Sequence, residues 1–483
     1  MNLTDLEPKL VWHYFGEISK IPRASKHEER IVDFLEKFAN DHSFKYKRDA
    51  VGNIIISKPA TPGFEHLPKT ILQSHVDMVC EKIASSDHNF DTDPIKTIID
   101  GDFIHADGTT LGADDGIGVA IELALLASDN IGHCAIDCIF TVDEETGITG
   151  AHAIDKSFFD ATRLINLDSE EENIIYIGCA GGCTTQADFA ISDCPTPQGM
   201  LGIRVCLRGL RGGHSGCDIH LGRGNAAKII ARFAHKALKE CNLEIANILA
   251  GNLHNAIPRE ATLTGAVPFA QRENIRVLFN IFSADIQDEL RGIDPDIRLT
   301  LETIDQPERV FTNDFSMKLI SALVACPHGV LGMSRDIEGL VETSNNLASV
   351  KRIDNKIVVT TSQRSSVESC KEYAQLMVTS VFELAGANII VSEGYPAWQP
   401  NPDSPLVKQA AATYRRLFGA DPIVTALHAG VECGLFAGKC PELDMISIGP
   451  NVFGVHTPDE RVEIASVARF WRYVTDLISH KAD

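Results

Sequence analysis

Between residues 69 and 169 the chain repeats one pattern: a short apolar run, a polar loop, and then usually a helix. KTILQSHVD closes a strand at His75, and GADDGIGVAIELALLAS is a loop feeding a helix. CAIDCIFTVDEE and TRLINLDSEE are two further strands, each ending in acids. Strands alternating with helices predict an α/β fold with a mostly parallel sheet and helices on both faces. In such sheets ligands collect at the carboxyl ends of the strands. That is where the acids and His75 fall.

From about residue 185 the grammar changes. LGIRVCLRGL and the runs around 245–268 alternate apolar and polar residues, as half-solvated antiparallel strands do. NAAKIIARFAHKAL and NIRVLFNIFSADIQDEL read as helices among them, and a similar order follows from SMKLISALVAC to ANIIVSE. This predicts an inserted α+β lid domain made of two related units. After the Pro-rich YPAWQPNPDSP the first grammar returns with IVTALHAG, LDMISIGP and a final helix. The expected division is a catalytic domain of 1–184 and 394–483 interrupted by a lid of 185–393. A chain of 483 residues exceeds what one core serves, which also calls for two domains.

Charge and cysteine content narrow the function classes. The formal net charge of −22, with no Lys/Arg cluster, argues against a nucleic-acid partner. The longest apolar runs are too short to span a bilayer. The opening MNLTDLEPKLVWHYFGEISKIP carries acids where a secretory signal carries bases, and reads as an amphipathic helix. Thirteen cysteines without paired spacing fit free thiols in a reducing cytoplasm better than a disulfide framework.

The polar residues at the strand ends are His75 and Asp77, Asp114 and Asp115, Glu144 and Glu145, Asp168, and the late His456. Each has an ordinary explanation alone. His-x-Asp is often a strand-end hydrogen bond, Asp114–Asp115 can cap the helix at Gly116, and Glu144 and Glu145 can be solvated loop acids. Together they form a set of imidazole and carboxylate donors that suits zinc, manganese or cobalt. Five donors exceed one tetrahedral zinc with an open position, and suit two metals about 3.5–4 Å apart sharing a carboxylate.

HVD, GTTLGADDGIG, DEETG, NLDSEE and GVHTPDE, in that order, resemble the di-zinc metallopeptidases that include aminoacylase, carnosinase and tripeptidase. GCAGG, LRGGHSG, LHNAIPRE, VETSNN, YPAWQP, HAGVECGLF and MISIGP extend the resemblance to the C-terminus. It implies two zinc ions per chain, replaceable by cobalt or manganese. His75 and Asp168 would hold one, Glu145 and His456 the other, and Asp114 would bridge them across a cis peptide to Asp115. Asp77 would orient His75, and Glu144 would be the general base. The resemblance also places His214 at the oxyanion, Asn255 and Arg364 at the substrate's C-terminal carboxylate, and His428 and Glu432 in the same pocket. His105, His152, His220 and His254 are read as structural.

The expected activity is hydrolysis of unblocked dipeptides, some ending in histidine such as carnosine, by a cytoplasmic homodimer. The small peptide substrates would be its partners, together with a second copy of the chain. The rivals are an N-acyl-amino-acid deacylase or tripeptidase on the same scaffold, and a non-catalytic peptide- or metal-binding protein. A phosphatase would need a basic clamp that the acidic loops lack. A lid of two units also suggests that His214 serves its own chain.

Overall fold

The computed structural model describes residues 2–480. The chain divides into two compact units: residues 1–179, 398–426 and 431–483 form the first, and 180–397 with 427–430 the second. The division thus falls at 179/180 and 397/398 instead of at 184/185 and 393/394. Four residues of the HAGVECG stretch, Leu427–Gly430, also go with the second unit. Bonds within that unit account for this. Ala180 N–H donates to Leu427 O, and His428 is bonded to Ser344.

The first unit is built on an eight-stranded sheet. Its centre is four strands in the order Ile136–Thr141, Thr70–His75, Arg163–Asn166 and Asp444–Ser447, all parallel. The flanking pairing of Ile54–Lys58 with Ile136–Thr141 is antiparallel. Every residue of Thr70–His75 and Ile136–Thr141 is buried, which is why these strands read as continuous apolar runs without alternation. The helix Ala113–Ala127 packs on Thr70–His75 and against Lys9–Ile18. It is apolar nearly all round, as a helix covered on several sides must be. A separate four-stranded sheet contains Val452–Phe453 and Arg461–Glu463, and His456 sits in the loop joining them.

In the second unit we number strands β1 (Gly181–Ala190), β2 (Met200–Arg208), β3 (Glu244–Ala250), β4 (Ala261–Pro268), β5 (Arg298–Ile304), β6 (Val341–Ile353), β7 (Lys356–Ser365) and β8 (Asn388–Val391). Its main helices are α1 (Ala226–Glu240), α2 (Arg272–Leu290), α3 (Asn313–Ala325) and α4 (Glu368–Leu384). The sheet order is β5-β2-β4-β3-β6-β7-β1-β8, with Gly329–Met333 paired to β6 beside this path.

That order resolves into two halves of the same design. Strands β2, β3, β4 and β5 with helices α1 and α2 form one β-α-β-β-α-β unit, with spatial order fourth, first, third, second. Strands β1, β6, β7 and β8 with α3 and α4 repeat it in reverse direction across the sheet. The inner half is inserted between the first strand and first helix of the outer half. A short ribbon, Asp193–Pro195 against Arg309–Phe311, closes the neck of the insertion. The two halves meet at Ala250 and Val350. One apolar core, including Phe233, Phe282, Leu319 and Phe382, runs through both.

Candidate metal centre

The three acids of TVDEETG are given three tasks by the local backbone. Asp143 adopts a left-handed φ of 52° and accepts from Thr149 Oγ1 at 2.5 Å and from Thr146 Oγ1. It folds the turn, and Glu144 and Glu145 then begin a short helix pointing elsewhere. Asp77 accepts from the Glu144 N–H at 3.0 Å and the Glu145 N–H at 3.2 Å. It also accepts from Ser25 Oγ at 2.7 Å, and its Oδ1 lies 3.3 Å from His75 Nδ1. Burial alone would raise the Asp77 carboxyl, but these bonds, led by His75, outweigh it and hold it at about 2. One buried carboxylate therefore orients both His75 and the pair of glutamates.

Asp114 is the centre of the cluster. Its Oδ1 lies 3.1 Å from His75 Nε2, and its Oδ2 lies 3.3 Å from His456 Nε2. His75 Nε2 is also 3.3 Å from Asp168 Oδ1, and His456 Nε2 is 3.0 Å from Glu145 Oε2. The donors sort into two sets, one on each oxygen of Asp114. The peptide bond between Asp114 and Asp115 is cis. Asp115 turns the other way and accepts from Gly118 N–H at 3.1 Å, as a helix cap does, while Asp114 faces the two imidazoles.

Electrostatics show what such a group needs. Burial pushes Glu144 up to about 8, against the pull of His75 and with added repulsion from Glu432, Glu145 and Asp114. Burial likewise raises Asp168 well above the usual range, although His75 opposes it. Hydrogen bonds donated to Asp114 and Glu145 raise His456 to about 11. Glu145 Oε1 is buried and has no hydrogen-bond partner. Acids this close require positive charge among them, and the two donor sets with a shared carboxylate fit a pair of divalent ions.

Sequence reasoning missed several supports. Glu460, of the GVHTPDE stretch, accepts from the N–H groups of Leu111, Gly112, Ala113 and Asp114 at 2.7, 3.0, 2.7 and 3.4 Å. The buried Arg23 donates to the carbonyls of Val76, Asp77 and Gly112. Together they clamp the loop that carries the shared carboxylate. Glu460→Ala should destabilise the protein by about 2–4 kcal/mol, because several buried N–H groups lose their acceptor. It should also weaken metal binding. Urea unfolding and a metal titration check both, and an unchanged metal affinity would show that the clamp does not hold Asp114.

Glu432 belongs to this first unit, whereas His428, which the resemblance places in the same pocket, belongs to the second. It is fully buried and accepts from Gln73 Nε2 at 2.7 Å and Thr141 Oγ1 at 2.8 Å, which ties together two of the site strands. Burial pushes it up to about 7.

The second unit brings another group together. Nδ1 of His214 accepts from the N–H groups of Gly216 and Cys217 at 3.2 and 3.1 Å, so its proton is on Nε2. Burial and the Arg364 charge lower its pKa. Arg364 is buried, donates from Nη1 to Tyr395 Oη at 2.8 Å, and leaves Nε without a partner. Burial, then Arg364, lowers His428 to about 3, so this imidazole is neutral. Asn255 holds the same loop cluster through its carbonyl, which accepts from Ser215 N–H at 2.8 Å. His254, read as structural, feels the Arg364 charge and is also lowered, chiefly by burial.

Imidazole and carboxylate donors gathered at the ends of parallel strands around one aspartate, with a half-buried glutamate beside them, fit a metal-dependent hydrolase. Within that class the chain belongs to the peptidase family M20/M25/M40, whose model matches residues 71–480. It is 40% identical over 477 residues to the cytosol non-specific dipeptidase of Escherichia coli (strain K12), covering 99% of this chain and 98% of that protein. The crystal structure of aminoacylhistidine dipeptidase from Vibrio alginolyticus is 41% identical with a TM-score of 0.93, covering 100% of this chain and 99% of that one. An aminopeptidase from Bacillus cereus shares the fold at 17% identity and a TM-score of 0.57, with 98% of each chain covered. Among the described residues no helix is long and apolar enough to cross a membrane.

Proposed function

We propose that the chain is a di-zinc dipeptidase that hydrolyses unblocked dipeptides, including some with a C-terminal histidine such as carnosine. The observation that carries this is the division of donors over the two oxygens of Asp114, with Glu144, which enters none of these contacts, next in the chain to Glu145. The near full-length relatives, one a cytosol non-specific dipeptidase and one an aminoacylhistidine dipeptidase, support the substrate class and a cytoplasmic location. We take the working unit to be a homodimer.

A bound pair of divalent ions supplies Lewis acidity, which polarises a carbonyl and lowers the pKa of water. His75, Asp168, Glu145, His456 and Asp114 would hold them. Glu144 takes the proton of the attacking water and afterwards gives it to the leaving amine. His214, neutral and protonated on Nε2, is a hydrogen-bond donor suited to a developing oxyanion. Arg364, with an unpaired Nε–H, and Asn255 and His428 beside it are assigned to the substrate's terminal carboxylate.

A panel of Xaa-His, Xaa-Gly and N-acetylated substrates, assayed with zinc, cobalt and manganese, tests the reading. Free dipeptides should be turned over and N-acetylated ones not. The reverse preference would make the enzyme a deacylase. Arg364→Ala should lower kcat/KM on free-acid dipeptides by about 100-fold, the scale of a lost charge-assisted pair. Equal turnover of free-acid and amide dipeptides by the parent enzyme would refute the Arg364 assignment.

A further inference from the structure

Side chains alternate across a strand, so within VETSNN on β6 Ser344 and Asn346 share one face, and Thr343 and Asn345 the other. Ser344 lies directly opposite Arg364 in the β6–β7 register. Its Oγ is 2.7 Å from His428 Nε2. Asn346 Nδ2 donates to His254 O at 3.3 Å and Ala256 O at 2.8 Å, straddling Asn255. Both partners are carbonyls, so the orientation of the amide is fixed.

Tyr395 completes the arrangement. Its Oη accepts from Arg364 Nη1 at 2.8 Å, and its N–H donates to Gly182 O at 2.9 Å. A Cβ on Gly182 would lie 2.6 Å from the Tyr395 hydroxyl, and one on Gly430 would lie 2.4 Å from its ring. The two glycines leave room for the ring between them. GCAGG, YPAWQP and HAGVECG, distant in sequence, thus meet at one arginine.

Ser344 and Asn346 are each 1% exposed, which leaves them no surface for a ligand of their own. They act through His428 and the Asn255 loop, as Tyr395 acts through Arg364. We propose that Ser344, Asn346 and Tyr395 are positioning residues that set the preference for a free C-terminal carboxylate over a carboxamide. The inference rests on the assignment of Arg364, Asn255 and His428 to that carboxylate. Holding a guanidinium fork at a fixed angle decides whether it meets both carboxylate oxygens, whereas a carboxamide offers only one acceptor.

The experiment compares kcat/KM for a dipeptide and its C-terminal amide in the parent, Ser344→Ala, Tyr395→Phe, Asn346→Asp and Arg364→Ala, all metal-loaded. Asn346→Asp keeps the shape but turns a carboxylate oxygen towards two carbonyls. Melting curves identify any variant that fails to fold, in which case the remaining substitutions carry the test. The acid-to-amide ratio should fall about tenfold in Ser344→Ala and Tyr395→Phe, the effect of one misdirected hydrogen bond to a charged group, and chiefly through KM. If acid and amide fall by the same factor while Arg364→Ala still collapses the ratio, the residues are only structural and the proposal is overturned. If the parent shows no preference for the acid, the carboxylate assignment itself fails, and the inference with it.

Discussion

Replacing Glu144 by Gln should leave both metals bound and lower kcat by about 10²–10⁴-fold, the usual contribution of a positioned proton carrier. Gln is isosteric with Glu, and the Glu144 backbone is held through its N–H by Asp77, so the loop need not move. What is lost is the acceptor for the water's proton. Glu145→Gln should behave differently. Its Oε2 faces His456 at 3.0 Å and its Oε1 is buried without a partner, so neutralising it removes charge from one donor set only. Metal analysis after dialysis should show one site depleted, with activity recoverable at high metal concentration. If both variants kept metal and activity alike, the division of labour between the two glutamates would be wrong.

Chelation should abolish hydrolysis, and zinc, cobalt or manganese should restore it. It should also change how stability depends on pH. Glu144 is held at about 8, and Glu170 and Glu432 at about 7, in each case first by burial. Their unperturbed value is 4.5. A carboxyl raised in the folded state supports folding fully below its unfolded pKa and withdraws that support as pH rises through the folded one. The metal-free protein should therefore melt at falling temperatures between about pH 5 and about pH 8. Ions bound at about a thousandfold their Kd should return about 4 kcal/mol. A melting temperature that rose across this window in chelated protein would contradict the electrostatic account of the site.

Most of the candidate metal centre was legible because the residues proposed to ligate stand where apolar runs stop. His75 is the last residue of its strand, and Glu145 and Asp168 follow theirs within a few residues. The composition change at that boundary is itself the signal. Glu460 and Arg23 gave none, because each acts on backbone groups far away in sequence, and hydrogen bonding to main chain leaves no trace in residue type. The unit boundary inside HAGVECG was silent for a related reason. Only three residues lie between His428 and Glu432, yet the chain passes from one unit to the other between them. Strand β1 was passed over because GGCTTQADFA is neither continuously apolar nor cleanly alternating, although most of it is buried. Without it the second half of the lid lacked a first strand, and the repeat showed only as a similar order of elements.

The neck formed by Asp193–Pro195 and Arg309–Phe311 brings the two ends of the inner half side by side, so residues 196–308 form a self-contained cassette. Excising it and joining the neck with a tight turn would break no strand of the outer half. It would, however, strip the cover from β6 around Val350, where β3 now pairs. A bared strand edge is a template for another chain, and an antiparallel edge can pair with its own copy about a two-fold axis. The shortened chain would therefore tend to recover, from a second molecule, the neighbour it had lost. In the intact chain the inner half supplies that neighbour itself, at a fixed one-to-one ratio and at no cost in concentration.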